Sequence, residues 1–274
     1  MPEPAVIAHR GFAGVAPENT IEAARVASEH PSTDMIEIDV QAAACGTPVV
    51  IHDDRLEGTR DGRPLTDSEG LVWEQTLEAL SNARVLETDE AVPTLEAFLE
   101  AVGPGVGVNV ELKNPGTPSI RPAELLSSSV HDGRREIWEP FVERVVDVCD
   151  GFAGDVLFSS FCVGALAATR NVAPEYPIGA LVEDDLEMGL EIAREYDCEA
   201  IHPPRNAIAG TVLPTDSTGS RDSRTLPTAD LLDVARDEGR AINVWTVDTW
   251  IQFDQLRSVG VDGIIVDYPG LDSR

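Results

Sequence analysis

Eight short apolar runs recur along the chain, nearly all separated by a stretch long enough for one helix. Residues 6–9, 35–41, 106–113, 156–161, 178–182, 200–203, 243–247 and 263–267 have the length and aliphatic content of strands. Helices are expected between them, over 20–29, 94–102, 137–149, up to 170, 186–196, 228–239 and up to 258. Asn19 or Thr20, Thr94 and Thr228 stand at their starts as caps. Asn19 followed by Glu22 has the pattern of a capping box. Strands alternating with helices build a closed barrel or an open doubly wound sheet. No Gly-rich dinucleotide fingerprint follows any strand. The pattern therefore predicts an α/β fold, a (β/α)8 TIM barrel spanning residues 1–274 as one domain.

A ninth run, 49–52, breaks the rhythm. Residues 42–48 are too few for the helix of a parallel crossover, and Cys45-Gly46-Thr47-Pro48 is turn chemistry. This run is expected to return as a β-hairpin on strand 2, which leaves eight strands for the barrel. Residues 53–90 read as a polar, irregular segment with a short helix near 71–80, and 114–135 and 206–225 as long polar loops.

Charge narrows the function. Against 49 acidic residues stand 20 basic ones, a formal net of −29, and Lys113 is the sole lysine. Such a surface repels nucleic acid. It suits a salt-rich cytoplasm, as in extreme halophiles, where salt screens the self-repulsion. No apolar run approaches the ~20 residues of a membrane span. The Met-Pro-Glu-Pro start lacks the charged and apolar regions of a signal peptide, so a cytoplasmic location is expected. Cys45, Cys149, Cys162 and Cys198 form no Cys-x-x-Cys pair and read as buried small hydrophobes.

In a surface this acidic, the informative carboxylates are those that interrupt apolar strands. Glu37 and Asp39 alternate with Ile36, Ile38 and Val40, so they share one strand face about 7 Å apart. Two such charges repel unless a cation lies between them, the alternative being the wet face of a half-exposed strand. Glu111 and Lys113 share a face in the same way, and Glu111 would complete a three-carboxylate site for Mg2+, Ca2+ or Mn2+. Arg10 and Lys113 suit an anion such as phosphate. His9 and His52 have the pKa range for proton transfer. A divalent ion, two fixed cations and two histidines suit displacement at phosphorus. Other readings stay open: a Schiff-base aldolase using Lys113, a ligand-binding barrel without catalysis, His9 and Trp245 as core residues, and His202 as structural. His30 and His131 read as surface.

The motifs resemble those of the glycerophosphodiester phosphodiesterases. They run through His9-Arg10-Gly11, Pro17-Glu18-Asn19-Thr20, Glu37-x-Asp39-Val40-Gln41, Val50-Ile51-His52-Asp53, Pro93-Thr94-Leu95, Glu111-Leu112-Lys113, Ser159-Ser160-Phe161, Val244-Trp245-Thr246-Val247 and Asp262-Gly263-Ile264-Ile265-x-Asp267. They follow the family's order over nearly the whole chain. The resemblance implies a barrel and a divalent-metal phosphodiesterase acting on small glycerophosphodiesters. It implies His9 and His52 as the acid–base pair and Glu37, Asp39 and Glu111 as metal ligands. Arg10 and Lys113 would bind phosphate, and Phe161 and Trp245 would line the alcohol pocket. In that family a substrate hydroxyl is thought to attack phosphorus, and the resulting cyclic phosphate is then hydrolysed. Arg60-Asp61-Gly62-Arg63 departs from the fuller Arg-Thr-Thr-x-Gly pattern. The loops 114–135 and 206–225 look longer than in compact members, and Asp248 stands where Asn is frequent.

Overall fold

The computed structural model describes residues 2–120, 122, 128–208 and 228–273. Strand β1 (Ala5–His9), helix α1 (Ile21–Glu29) and strand β2 (Met35–Ala42) are followed by three short strands, β3 (Pro48–Val50), β4 (Thr59–Arg60) and β5 (Arg63–Pro64). After α2 (Leu77–Asn82) and α3 (Leu95–Ala101) come β6 (Gly107–Asn114), α4 (Ser128–Cys149), β7 (Val156–Ser160), α5 (Val163–Val172), β8 (Ile178–Leu181) and α6 (Leu186–Glu195). β9 (Ala200–His202), α7 (Thr228–Asp237), β10 (Ala241–Val247), α8 (Trp250–Val259) and β11 (Gly263–Val266) complete the order. Strands β1, β2 and β6 to β11 pair in parallel, and β1 bonds to both β2 and β11, so the sheet closes into the expected (β/α)8 barrel. β3 runs antiparallel on β2, with Val40 opposite Val50 and Gln41 opposite Val49. The hairpin reading of that segment holds, although the strand ends at Val50 and His52 lies in the bend beyond it.

Alternation explains how the barrel serves a site. On β2, Ile36, Ile38 and Val40 join the main apolar core with α1 and α3 residues such as Ala24, Ala27, Leu95 and Phe98. Burying each such large side chain contributes about 1.5–3 kcal/mol. The same pleat sends Glu37 and Asp39 to the opposite, inner face. Among the described residues no helix is long and apolar enough to cross a membrane.

Several local expectations are corrected. Thr20, not Asn19, caps α1, accepting from the Ala23 amide. Asn19 has a left-handed backbone (φ 60°) and turns its side chain to Asp39. The stretch 53–90 is not merely irregular. Leu56, Val72, Leu80, Val85 and Val92 converge with Val49 into a second small core beneath the hairpin, a convergence with no periodicity for the sequence to display. The helix expected near 71–80 is a 3-10 turn, Val72–Glu74, followed by α2 with Thr76 as cap. Helix α4 begins at Ser128, inside the stretch read as a loop. Arg135 pairs there with Glu139 one turn on, and Trp138 packs so closely on Gly164 that a Cβ there would meet it at 2.8 Å. Cys149, Cys162 and Cys198 are buried as expected, but Cys45 is exposed in the hairpin turn. Of the expected loop 206–225, residues 209–225 lie outside the described residues; 206–207 belong to a 3-10 turn, Arg205–Ala207, and Ile208 caps it.

Candidate active site

The C-terminal end of β1 turns sharply through Arg10, Gly11 and Phe12, all with positive φ (51°, 78° and 65°). Gly11 is required twice over. Its φ is one that side chains resist, and a Cβ there would stand 2.6 Å from the Cβ of Ala23. The turn brings the Arg10 guanidinium over the barrel mouth. Gly11→Ala should therefore lower stability by about 2–4 kcal/mol, from left-handed strain and overpacking together. Urea unfolding checks this; a midpoint unchanged from wild type would contradict it.

Glu37, Asp39 and Glu111 are buried and offer oxygens that all lie within 4.8 Å of one another. They come from adjacent strands, β2 and β6, whose register sets Asp39 beside Glu111. Asp39 is the most tightly held. Its Oδ2 lies 3.1 Å from Arg10 Nε and accepts from Asn19 Nδ2 at 2.8 Å, while its Oδ1 lies 3.5 Å from Lys113 Nζ. Lys113 Nζ also reaches Glu111 Oε1 at 3.0 Å. Arg10 donates to Glu18 at 3.0 Å, and its backbone N–H donates to Glu37 Oε2 at 3.2 Å.

Burial drives all three carboxyl groups towards the neutral form, but their neighbours divide them. Arg10, Lys113 and His52 outweigh burial at Asp39 and hold it below the usual carboxylate range. Glu37 stays raised, because burial is reinforced by Asp39 and Glu111. Glu111 is also raised, mainly by burial, against the opposing pull of Lys113. Burial disfavours the Lys113 ammonium, yet Glu111 and Asp39 lift its pKa above the ordinary value, and Asp39 and Glu18 do the same for Arg10. Buried, mutually repelling oxygen donors fit a hard divalent cation, which would relieve the repulsion on Glu37 and Glu111.

The two histidines face this cluster from different elements. His9 Nδ1 lies 2.6 Å from Asp267 Oδ1, beyond the end of β11, and its Nε2 is 3.9 Å from Glu37 Oε2. His52 is held by its loop. The Gln41 amide donates to the carbonyls of Ile51, His52 and Asp53 at 3.0–3.1 Å. His52 Nδ1 lies 3.4 Å from Asp53 Oδ2, which in turn is 2.7 Å from Arg60 Nη2. A cavity of ≈ 270 Å³ opens between these groups, lined by His9, Arg10, Glu37, His52, Glu111 and Lys113. Phe161 and Trp245 form a wall, edge to face with centroids 5.8 Å apart. Of the nine residues expected at the site, only Asp39 does not line the cavity; it sits behind, bonded to Arg10 and Asn19.

The profile of the Glycerophosphoryl diester phosphodiesterase family matches residues 9–271. The chain belongs to this family. A glycerophosphodiester phosphodiesterase of Caldanaerobacter subterraneus is 28% identical over 271 residues, covering 96% of this chain and 94% of that one. One of Bacillus altitudinis is 28% identical over 274 residues with the same coverage. Among solved structures, an Oleispira antarctica phosphodiesterase in complex with its product sn-glycerol-3-phosphate superposes with a TM-score of 0.75. It is 25% identical, and the match covers 97% of this chain and 94% of that one.

For this family member, sequence reasoning missed the supporting residues. Asn19, Glu18, Gln41, Asp53 and Asp267 each hold a site residue in place, and Arg60 pairs with Asp53. Asn19 stands where a helix cap is expected but serves Asp39 instead, and its Pro-Glu-Asn-Thr motif is the usable signal. His202 is wholly buried, with burial lowering its pKa to about 4; its Nε2 meets Asn243 Nδ2 at 3.1 Å, consistent with the structural reading. His30 is half-buried and packs edge-on against Phe12. The side chain of His131 lies outside the described residues.

Proposed function

We propose that the chain hydrolyses glycerophosphodiesters to glycerol phosphate and an alcohol. The observation that carries this is the three-carboxylate cluster beside two fixed cations, at the mouth of a barrel with a histidine on either side. A divalent ion (Mg2+, Ca2+ or Mn2+) held by Glu37, Asp39 and Glu111 would neutralise charge on the phosphoryl oxygens. Arg10 and Lys113, the two fixed cations beside the cluster, would bind the phosphate. His9, whose Nδ1 proton goes to Asp267, presents a bare Nε2 to the cavity and takes the proton of the attacking glycerol hydroxyl. As the new O–P bond forms, the P–O bond to the leaving alcohol breaks, and His52 donates the proton that alcohol needs. Water then opens the cyclic phosphate. Phe161 and Trp245 flank the substrate and exclude solvent.

The product named for the Oleispira enzyme supports the substrate class. The Schiff-base reading loses support, because a lysine nucleophile needs a depressed pKa and Lys113 is held as an ammonium. The acidic composition supports a protein working at high salt, and the one closed barrel supports a single domain.

Assayed against a panel of phosphodiesters in molar salt, the protein should release glycerol phosphate, and EDTA should abolish the release. A divalent cation should also raise Tm at neutral pH, by binding the folded state and relieving Glu37 and Glu111. Turnover indifferent to chelator, with borohydride trapping substrate on Lys113, would select the aldolase instead.

A further inference from the structure

Among the described residues, two buried polar side chains lining the cavity have no hydrogen bond on any of their polar atoms. Asn109 on β6 lies two residues before Glu111 and pairs in register with Glu37. It is 1% exposed, and neither its Oδ1 nor its Nδ2 makes a hydrogen bond. Ser159 on β7, the register partner of Glu111, is wholly buried with its Oγ equally unpartnered. Both line the cavity shared by His9, Glu37 and Lys113. Ser160, the next residue along β7, does not line it and is matched. Ser160 Oγ donates to the Leu112 carbonyl at 2.8 Å and accepts from the Cys162 amide at 3.0 Å. Leaving a buried donor and acceptor unpaired is costly, and an aliphatic residue would serve a purely structural position better.

The chemistry of the pair limits what it can receive. The amide needs both a donor and an acceptor from its ligand. A phosphate or carboxylate oxygen, with no proton to give, cannot satisfy Oδ1. An ammonium cannot satisfy Nδ2. A neutral hydroxyl answers both, and the Ser159 hydroxyl can give or accept the remaining bond. We propose that Asn109 and Ser159 form a subsite for the free terminal hydroxyl of the glycerol half of the diester, an inference that rests on the function proposed above. The glycerol half is the one placed there, because the pair flanks the carboxylates and His9 acts on the adjacent hydroxyl. The subsite makes the enzyme select diesters whose glycerol is fully deacylated, and reject those in which that hydroxyl is absent or esterified.

The test compares a glycerophosphodiester with the propane-1,2-diol phosphodiester carrying the same leaving alcohol, which lacks only the terminal hydroxyl. Wild type should favour the glycerol compound by at least about 100-fold in kcat/KM, since sites built around a hydroxyl reject its absence strongly. In Asn109→Ala that preference should shrink at least tenfold. Ser159→Ala, which removes one oxygen, gives a second reading of the same ratio should Asn109→Ala fail to fold. A preference left intact while both rates fall would make these residues structural and overturn the subsite. So would a wild type that cleaves both compounds equally, with the phosphodiesterase reading still standing. A folded, metal-loaded wild type that cleaves neither removes that reading, and the subsite with it.

Discussion

His9→Ala is expected to lower kcat by about 10²–10⁴-fold without unfolding the protein, the usual worth of a positioned acid or base. The imidazole is held at one end only. Asp267 fixes Nδ1 at 2.6 Å, which orients the ring and favours the tautomer whose Nε2 faces the cavity. The side chain is partly exposed at the mouth, so its loss opens no void in the core. His52→Ala should fall in the same range, because His9 and His52 are the only imidazoles lining the cavity among the described residues, and each has its own proton to move. Asp267→Asn should lose less, keeping the ring near its place but weakening the tautomer preference. Steady-state kcat, with circular dichroism as the control for folding, decides the matter. A variant of either histidine retaining more than about a tenth of wild-type activity removes that residue from proton transfer.

The second large effect is on stability. Asp39→Ala should cost about 3–5 kcal/mol, the range for breaking a buried ion pair from one side. Asp39 is 1% exposed and is shared by Arg10, Lys113 and Asn19. Removing it leaves two cations in the barrel mouth with fewer partners and a buried amide without its acceptor. Because its folded pKa is depressed, its contribution is complete at neutral pH and is lost only as pH falls through the folded value. Asp39→Asn keeps an acceptor for Asn19 and should cost less. Urea midpoints at neutral pH measure both, and an Asp39→Ala protein as stable as wild type would show that the pairing contributes nothing net.

Most of the architecture was legible because its signals are local and periodic. Two-residue alternation put Glu37 with Asp39 and Glu111 with Lys113, and seven residues of turn chemistry made 49–52 a hairpin. Those signals fail where contacts join distant segments without a period. The core under the hairpin draws single apolar residues from a stretch that reads as polar, and the first turns of α4 are fixed by ion pairs and by packing on α5. Asn19 shows the limit most plainly: its neighbourhood suits a helix cap, and only the approach of β2 gives it Asp39 as a partner.

Sequence alone determined that a barrel forms, that three carboxylates, two cations and two histidines gather at one end of it, and that the surface is strongly acidic. Tertiary structure alone decided how those charges are shared. Asp39 takes Arg10 and shares Lys113 with Glu111, while burial and the neighbouring carboxylates keep Glu37 and Glu111 raised. His9 is steered by a residue 258 positions away in the chain. Asn109 and Ser159 stand in the cavity without partners. Alternation specifies which face a side chain takes, but pKa, tautomer and hydrogen-bond satisfaction depend on distances that only closure of the barrel sets.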